Sequence, residues 1–314
     1  MPDREAPAAG DPVGGRGSSA GLLGPAEVRE LAERLDVSPT KKLGQNFVID
    51  PNTVRKIVRL GAVEAGDRVI EVGPGLGSLT LGILEAGASV TAIEIDHRLA
   101  AELPATVRAM QPAATARFGV VRSDALEVTA AQLAEAAPEG DGPGAAAPVR
   151  LVANLPYNVS VPILMHLLEL IPGLASGLVM VQAEVGYRIA ATPGSKEYGS
   201  PSAKAAWFGD WRIAGTVSRR IFWPVPGVDS VLVGYERRSD PRGTEEERAL
   251  TFDLVNAAFA QRRKMLRQAL QPVLGGIDRT VAMLEAAGVA PTARAEQLGI
   301  DAYLEVARAV LGSA

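Results

Sequence analysis

The hydrophobic positions of this chain fall into short runs rich in β-branched residues, each ending at a polar or acidic residue, with helix-like stretches between them. Val69-Ile70-Glu71-Val72 is the first run; it passes through Gly73-Pro74-Gly75-Leu76-Gly77 into a helical segment over 78–85. Residues 89–96 predict a second buried strand ending in acids, and 118–125 a third ending at Asp124. Arg150-Leu151-Val152-Ala153 predicts a fourth, running straight into Asn154-Leu155-Pro156-Tyr157. A fifth strand over 177–182 follows, with 212–217 and 231–235 as a closing antiparallel pair.

The helical stretches carry their own punctuation. Pro25 suits a first helical position, with Val28, Leu31, Ala32 and Leu35 on one face. Asp50 before Pro51 starts another helix, whose apolar stripe is Val54, Ile57, Val58 and Leu60. A short helix is expected over 130–137, and from Glu245 the pattern turns helical through Phe252, Val255, Ala258 and Phe259, then Met265, Leu266 and Leu270. The most apolar window, 161–181, carries Pro162, His166, Glu169 and Pro172, so it reads as a buried helix, a loop and a strand rather than a membrane span. Residues 1 to 20 lack periodicity and 138–148 is rich in Gly, Pro and Ala; these predict a disordered tail and a surface insertion. Strands alternating with helices point to an α/β protein with a largely parallel sheet.

Composition narrows the chemistry. The 314 residues are 47% hydrophobic and 22% charged, enough for one large domain and a smaller one. There is no cysteine and only His97 and His166, which removes disulfides, thiol catalysis, zinc clusters and histidine triads. Absent disulfides fit a reducing, cytoplasmic setting, and the N-terminal residues show no signal-peptide pattern. A net charge of −4 weighs against indiscriminate polyanion binding, although local arginine clusters remain.

A strand, a glycine turn and a helix form the entry to a nucleotide-type pocket. The dinucleotide fingerprint would need glycine at 78, where Ser78 stands. The E-x-G-x-G-x-G found instead resembles the S-adenosylmethionine loop of class I methyltransferases; the plain alternative is a tight turn. Glu94, 21 residues beyond Gly73, places a carboxylate where a ribose would present two hydroxyls, or where it would simply cap the next helix. Asp124 could accept from an adenine amino group. Asn154-Leu155-Pro156-Tyr157 is the most specific signal, beside the simpler reading of a turn with an aromatic plug. An exocyclic amine has its lone pair conjugated into the base, so methylating it calls for acceptors that draw density onto nitrogen. The Asn154 amide and the Leu155 carbonyl fit that need; Pro156 stiffens the turn and Tyr157 could stack on a flipped base.

Taken in order, Lys42-Leu43-Gly44-Gln45-Asn46-Phe47, 71–80, Glu94-Ile95-Asp96, Asp124-Ala125 and Asn154 to Tyr157 resemble the rRNA adenine N6-dimethyltransferases, most closely the KsgA type. So do Gln182 to Val185, Lys196-Glu197-Tyr198-Gly199, 222–230 and Phe259 to Lys264. The resemblance implies a Rossmann-like class I S-adenosylmethionine-dependent sheet over 25–240, after a disordered 1–24, with a helical RNA-docking domain over 241–314. It implies dimethylation of two adjacent adenosines near the 3′ end of small-subunit rRNA in assembling subunits, by a monomer without metal or membrane. Asn46, Val48, Gly73, Glu94, Asp124 and Asn154 would hold the cofactor, and Phe47, Tyr157 and Phe222 the target base. With that resemblance set aside, Phe47 reads equally as a hydrophobic staple onto its following helix. Val48 replaces a usual leucine, and Ser200-Pro201-Ser202 departs from the usual Leu-Ser.

Gln261-Arg262-Arg263-Lys264 and Arg267 predict a basic helix stripe, joined by Arg219, Arg220, Arg237, Arg238 and Arg242. That is a phosphate-contacting surface or an ordinary solvated face. The alternatives are an Erm-type enzyme acting on large-subunit rRNA, disfavoured by Leu155, and an assembly factor without turnover. A nicotinamide dehydrogenase fails on Ser78.

Overall fold

A computed structural model describes residues 21–37, 46–139 and 149–313. The expected tail over 1–20, the motif residues Lys42 to Gln45 and most of the 138–148 insertion lie outside the described residues. Seven strands make the central sheet: β1 (Arg68–Val72), β2 (Ser89–Glu94), β3 (Phe118–Arg122), β4 (Val149–Asn154), β5 (Leu174–Gln182), β6 (Gly209–Val217) and β7 (Ser230–Arg237). Their spatial order is β3-β2-β1-β4-β5-β7-β6. The first five run parallel, while β7 is antiparallel to both β5 and β6. The chain order reverses at β1, where Arg68 pairs with Ser89 on one side and Val149 on the other. Ligands bind such sheets outside the carboxyl ends of the strands at that reversal.

Period-two alternation explains how the sheet is sealed. Ile70 and Val72 of β1 join the apolar cluster on one face, with Leu151, Ile163, Leu164 and Leu167. Val69 points the other way, with Val54, Ile57, Leu79, Ile83, Val90 and Val107. A parallel sheet covered on both faces in this way needs continuous apolar runs, which is what the sequence carries. The helix Pro51–Leu60 begins where Asp50 accepts from the amide of Thr53 at 3.0 Å. Leu60, expected in its stripe, is instead 37% exposed at the helix end.

Some elements differ from the expectation. Packing begins before residue 25: Leu22 and Leu23 are buried, and Gln111 donates to the Gly21 carbonyl at 2.8 Å. The span between β2 and β3, for which the apolar pattern predicts nothing, holds the helix His97–Met110 with Pro104 inside it. Phe47 and Val48 form a two-residue strand paired antiparallel to Phe222 and Trp223, with Phe47 in the same buried cluster as Val54 and Ile57 of the following helix. The expected basic helix ends at Ala260: Gln261 leaves helical geometry (φ −119°, ψ 41°), and 261–264 is a turn. The chain must reverse there because Leu266 donates to the Ala293 carbonyl and Met265 bridges to Arg294.

The C-terminal helices Glu245–Ala260, Ile277–Ala286 and Ile300–Leu311 bury Val255, Leu284 and Tyr303 in the same cluster as Ile70 and Leu151. Among the described residues no helix is long and apolar enough to cross a membrane.

Candidate active site

The carboxyl ends of β1, β2 and β4 open onto a cavity of about 240 Å³. Gly73 and Gly75 line it, and Gly77 ends the same turn. Gly73, Gly75 and Gly77 have φ of 65°, 60° and 95°, a region that side chains with a Cβ rarely adopt. At Gly75 space is limiting as well: a Cβ there would lie 2.9 Å from the Phe47 ring. Gly77 then starts the helix Ser78–Glu85.

Two buried acids stand behind the loop. The Glu94 carboxylate accepts from the amides of Gly75 at 3.1 Å and Asp96 at 2.9 Å, tying the end of β2 to the turn after β1. Burial pushes its carboxyl above the usual range while those amides pull it back. Glu71 lies deeper and accepts from the Thr80 hydroxyl at 2.6 Å. Burial pushes its carboxyl up to about 8; the Thr80 hydrogen bond opposes this and the charge of Glu94 adds to it. Asp124 accepts from the Leu126 amide at 2.9 Å, which turns the chain after β3 and sets its carboxylate at the cavity wall.

At the end of β4 the Asn154 side chain donates through Nδ2 to the Asn46 carbonyl at 3.1 Å. Its Oδ1 is buried and has no hydrogen-bond partner. A buried acceptor left unpaired costs about 1–3 kcal/mol, so such an atom on a cavity-lining residue is a reason to look for a ligand donor. Ser78 Oγ, also at the cavity, is likewise buried and unpaired. Leu155 buries its side chain and donates its amide to the Met180 carbonyl, which fixes the turn. Tyr157 is half-buried, and its hydroxyl lies 2.9 Å from Ser230 Oγ.

The cavity thus brings together Asn46, Phe47, Val48, Gly73, Glu94, Asp124, Asn154, Leu155, Pro156 and Tyr157. It does not include Phe222, which is 1% exposed and pairs with Val48 beneath the wall; its neighbour Trp223 stacks on Phe47 with ring centroids 6.4 Å apart. Sequence reasoning gave no role to Glu71, Ser78 or the half-exposed Ile95, which also line it. For Glu71 a signal existed, since an acid inside V-I-E-V must point into a covered face.

Among the described residues the lining holds three acidic side chains, Glu71, Glu94 and Asp124, and no lysine, arginine or histidine. A positively charged ligand finds acids among these described residues. S-adenosylmethionine, which carries a sulfonium and an ammonium, fits that donor set. Among the described residues no group of three or more His, Asp or Glu is placed to hold a metal ion.

The basic residues lie elsewhere and are unequal. Arg237 donates to the carbonyls of Leu174, Leu168 and Ile171, and Arg242 to that of Ala206 while pairing with Asp301. Both are structural braces, which corrects their assignment to a phosphate surface. Arg262 pairs with Glu296 and Arg219 with Asp229. Arg220, Arg238, Arg263 and Lys264 are exposed.

The family model described as ribosomal RNA adenine dimethylase matches residues 38–310. A ribosomal RNA small subunit methyltransferase A of Leifsonia xyli subsp. xyli is 63% identical over 286 residues, 91% of this chain and 98% of that protein. One of Streptomyces coelicolor is 54% identical, with 91% and 96% covered. Among solved structures, a Plasmodium falciparum dimethyladenosine transferase aligns with a TM-score of 0.66 at 22% identity, over 82% of this chain and 94% of that one. The 23S rRNA methyltransferase ErmE aligns with a TM-score of 0.59 at 24% identity, over 84% and 99%. Both structural likenesses speak to the fold alone.

Proposed function

Because the chain belongs to the ribosomal RNA adenine dimethylase family, we propose that it dimethylates N6 of two adjacent adenosines near the 3′ end of small-subunit rRNA, using S-adenosylmethionine. When bound, that cofactor supplies an electrophilic methyl group. The chain's residues do the rest. Gly73 and Gly75 allow close backbone approach, Glu94 faces the ribose hydroxyls and Asp124 the cofactor adenine. Asn154 Oδ1 accepts one N6 hydrogen and the Leu155 carbonyl the other, which shifts lone-pair density onto nitrogen and aligns it for attack. Tyr157 and Phe47 flank the extruded base, and Pro156 stiffens the turn between acceptor and stack. No residue need act as a strong base, since the amine becomes acidic only once the N–C bond forms. In this reading residues 25–240 carry the chemistry, 241–314 dock on RNA, and the protein works as a cytoplasmic monomer on assembling subunits.

The unpaired, buried Oδ1 of Asn154 carries the reading: it is an acceptor held at the junction of an acid-lined cavity and an aromatic wall. The large-subunit alternative has only fold likeness behind it, while the relatives above 50% identity are small-subunit enzymes by name. The test is to incubate the protein with labelled S-adenosylmethionine and small subunits from an unmethylated strain, then map products by mass spectrometry. N6,N6-dimethyladenosine on adjacent small-subunit positions is expected; none there, or methylation confined to large-subunit rRNA, refutes the proposal.

A further inference from the structure

The segment from Phe222 to Ser230 joins two walls of the cavity. At one end Trp223 pairs and stacks with Phe47, and the Ile221 carbonyl accepts from the Ile49 amide at 2.8 Å. At the other, Ser230 meets the Tyr157 hydroxyl and the Asp229 carbonyl accepts from the Ala183 amide. Between these anchors the chain presents Val225 at 64% and Val228 at 45% exposure, unusual for large apolar side chains. Arg219 reaches across from the preceding turn: its Nε meets the Asp229 carboxylate at 3.1 Å and its Nη1 donates to the Gly227 carbonyl at 3.4 Å.

We propose that Arg219 is a positioning residue that braces the 224–229 loop, so that Val225 and Val228 form an apolar lip for the RNA bases flanking the extruded adenosine. This rests on reading the cavity as the target-base site. Extrusion unstacks the neighbours of the flipped nucleotide and exposes their faces, and an apolar surface on a loop tied to the wall residues Phe47 and Tyr157 offsets that loss. A loop rich in proline and glycine keeps such a surface in place only if something ties it down. A fork with one contact to a side chain and one to the backbone does so, and it leaves Arg219 less free to neutralise a phosphate.

Small-subunit binding by the full chain, measured across a salt series and followed by methyl transfer, tests the idea. Arg219→Gln and Asp229→Asn should each weaken binding and raise KM for subunits by about two- to fivefold, the range open to an exposed ion pair. The double variant should be no worse than either single, and Val225→Ser with Val228→Ser should weaken binding by about tenfold. Melting temperature, affinity for S-adenosylmethionine and the salt slope should stay as in wild type. Asp229→Asn separates the explanations, because removing a negative charge beside a phosphate contact strengthens binding. Wild-type or tighter binding by Asp229→Asn, additive single effects, or a salt slope about one unit shallower in Arg219→Gln each overturn the brace. If wild type binds subunits but transfers no methyl group, the proposed reaction fails while the binding cycle still judges the loop; no binding at all removes both.

Discussion

Glu94 accepts a hydrogen bond from the Gly75 amide at 3.1 Å, so the acid at the end of the second strand and the glycine turn after the first are one unit. The carboxylate has two acceptor atoms and feeds two amides, since Asp96 donates to the other oxygen. Replacing it with glutamine keeps the volume but turns an NH2 group toward one of those N–H donors. Glu94→Gln should therefore loosen the turn and weaken S-adenosylmethionine binding by tenfold or more, an order-of-magnitude figure for losing one charge-assisted contact (~1.5–3 kcal/mol). The fold should survive, because the variant also removes a buried charge. Calorimetric titration beside a thermal melt checks both halves; unchanged affinity would remove Glu94 from the site.

Glu71 gives a pH signature. Its carboxyl is pushed up to about 8 from an ordinary 4.5, chiefly by burial. With the folded value above the unfolded one, the folded chain holds the extra proton between them. The stability Glu71 contributes is therefore full below its unfolded value and is lost as pH rises through about 8. Glutamine can still accept from Thr80 and never ionises. The melting temperature of Glu71→Gln relative to wild type should climb as pH goes from about 6 to about 9, and a constant difference contradicts the assignment.

The basic surface divides into braces and free charges. Arg263 and Lys264 are exposed on the turn after Ala260, whereas Arg242 is built into the molecule through Ala206 and Asp301. Arg263→Gln should lower subunit affinity uniformly and make its salt slope about one unit shallower without touching the melt. Arg242→Gln should instead lower the melting temperature by leaving the Ala206 carbonyl short of a donor. If Arg242 alone altered the salt slope, the division would be wrong.

These distinctions mark what the sequence could carry. Strand alternation is local, so β1 to β5 and their acid ends were legible: Glu94, Asp124 and Asn154 meet because the parallel order places their strand ends together. The helix His97–Met110 escaped notice because Pro104 and a small-residue face blur its period. Phe222 lies outside the cavity for another reason. A two-residue strand has no periodicity, and only the pairing Val48 with Phe222 decides which aromatic is buried. Partners of arginines are non-local as well: nothing near Arg262 in sequence announces Glu296.

Asn154 is where geometry and chemistry meet most directly. Its Nδ2 is spent on the Asn46 carbonyl, which fixes the amide of this cavity-lining residue and leaves Oδ1 buried and unpaired. Asn154→Ala removes the acceptor and the tether together, so kcat should fall by about 100-fold or more, the scale of losing one preorganised polar contact in a transition state. Cofactor affinity should fall far less, because Glu94 and the glycine turn are untouched. Asn154→Asp tests orientation separately. Aspartate keeps the acceptor but loses the donor to Asn46, setting two oxygens against each other. It should be slow as well, and should improve as pH drops and its carboxyl protonates to restore a donor. Single-turnover rates with saturating S-adenosylmethionine across pH would show this. An Asn154→Ala enzyme with wild-type kcat would leave the amide with a structural role only.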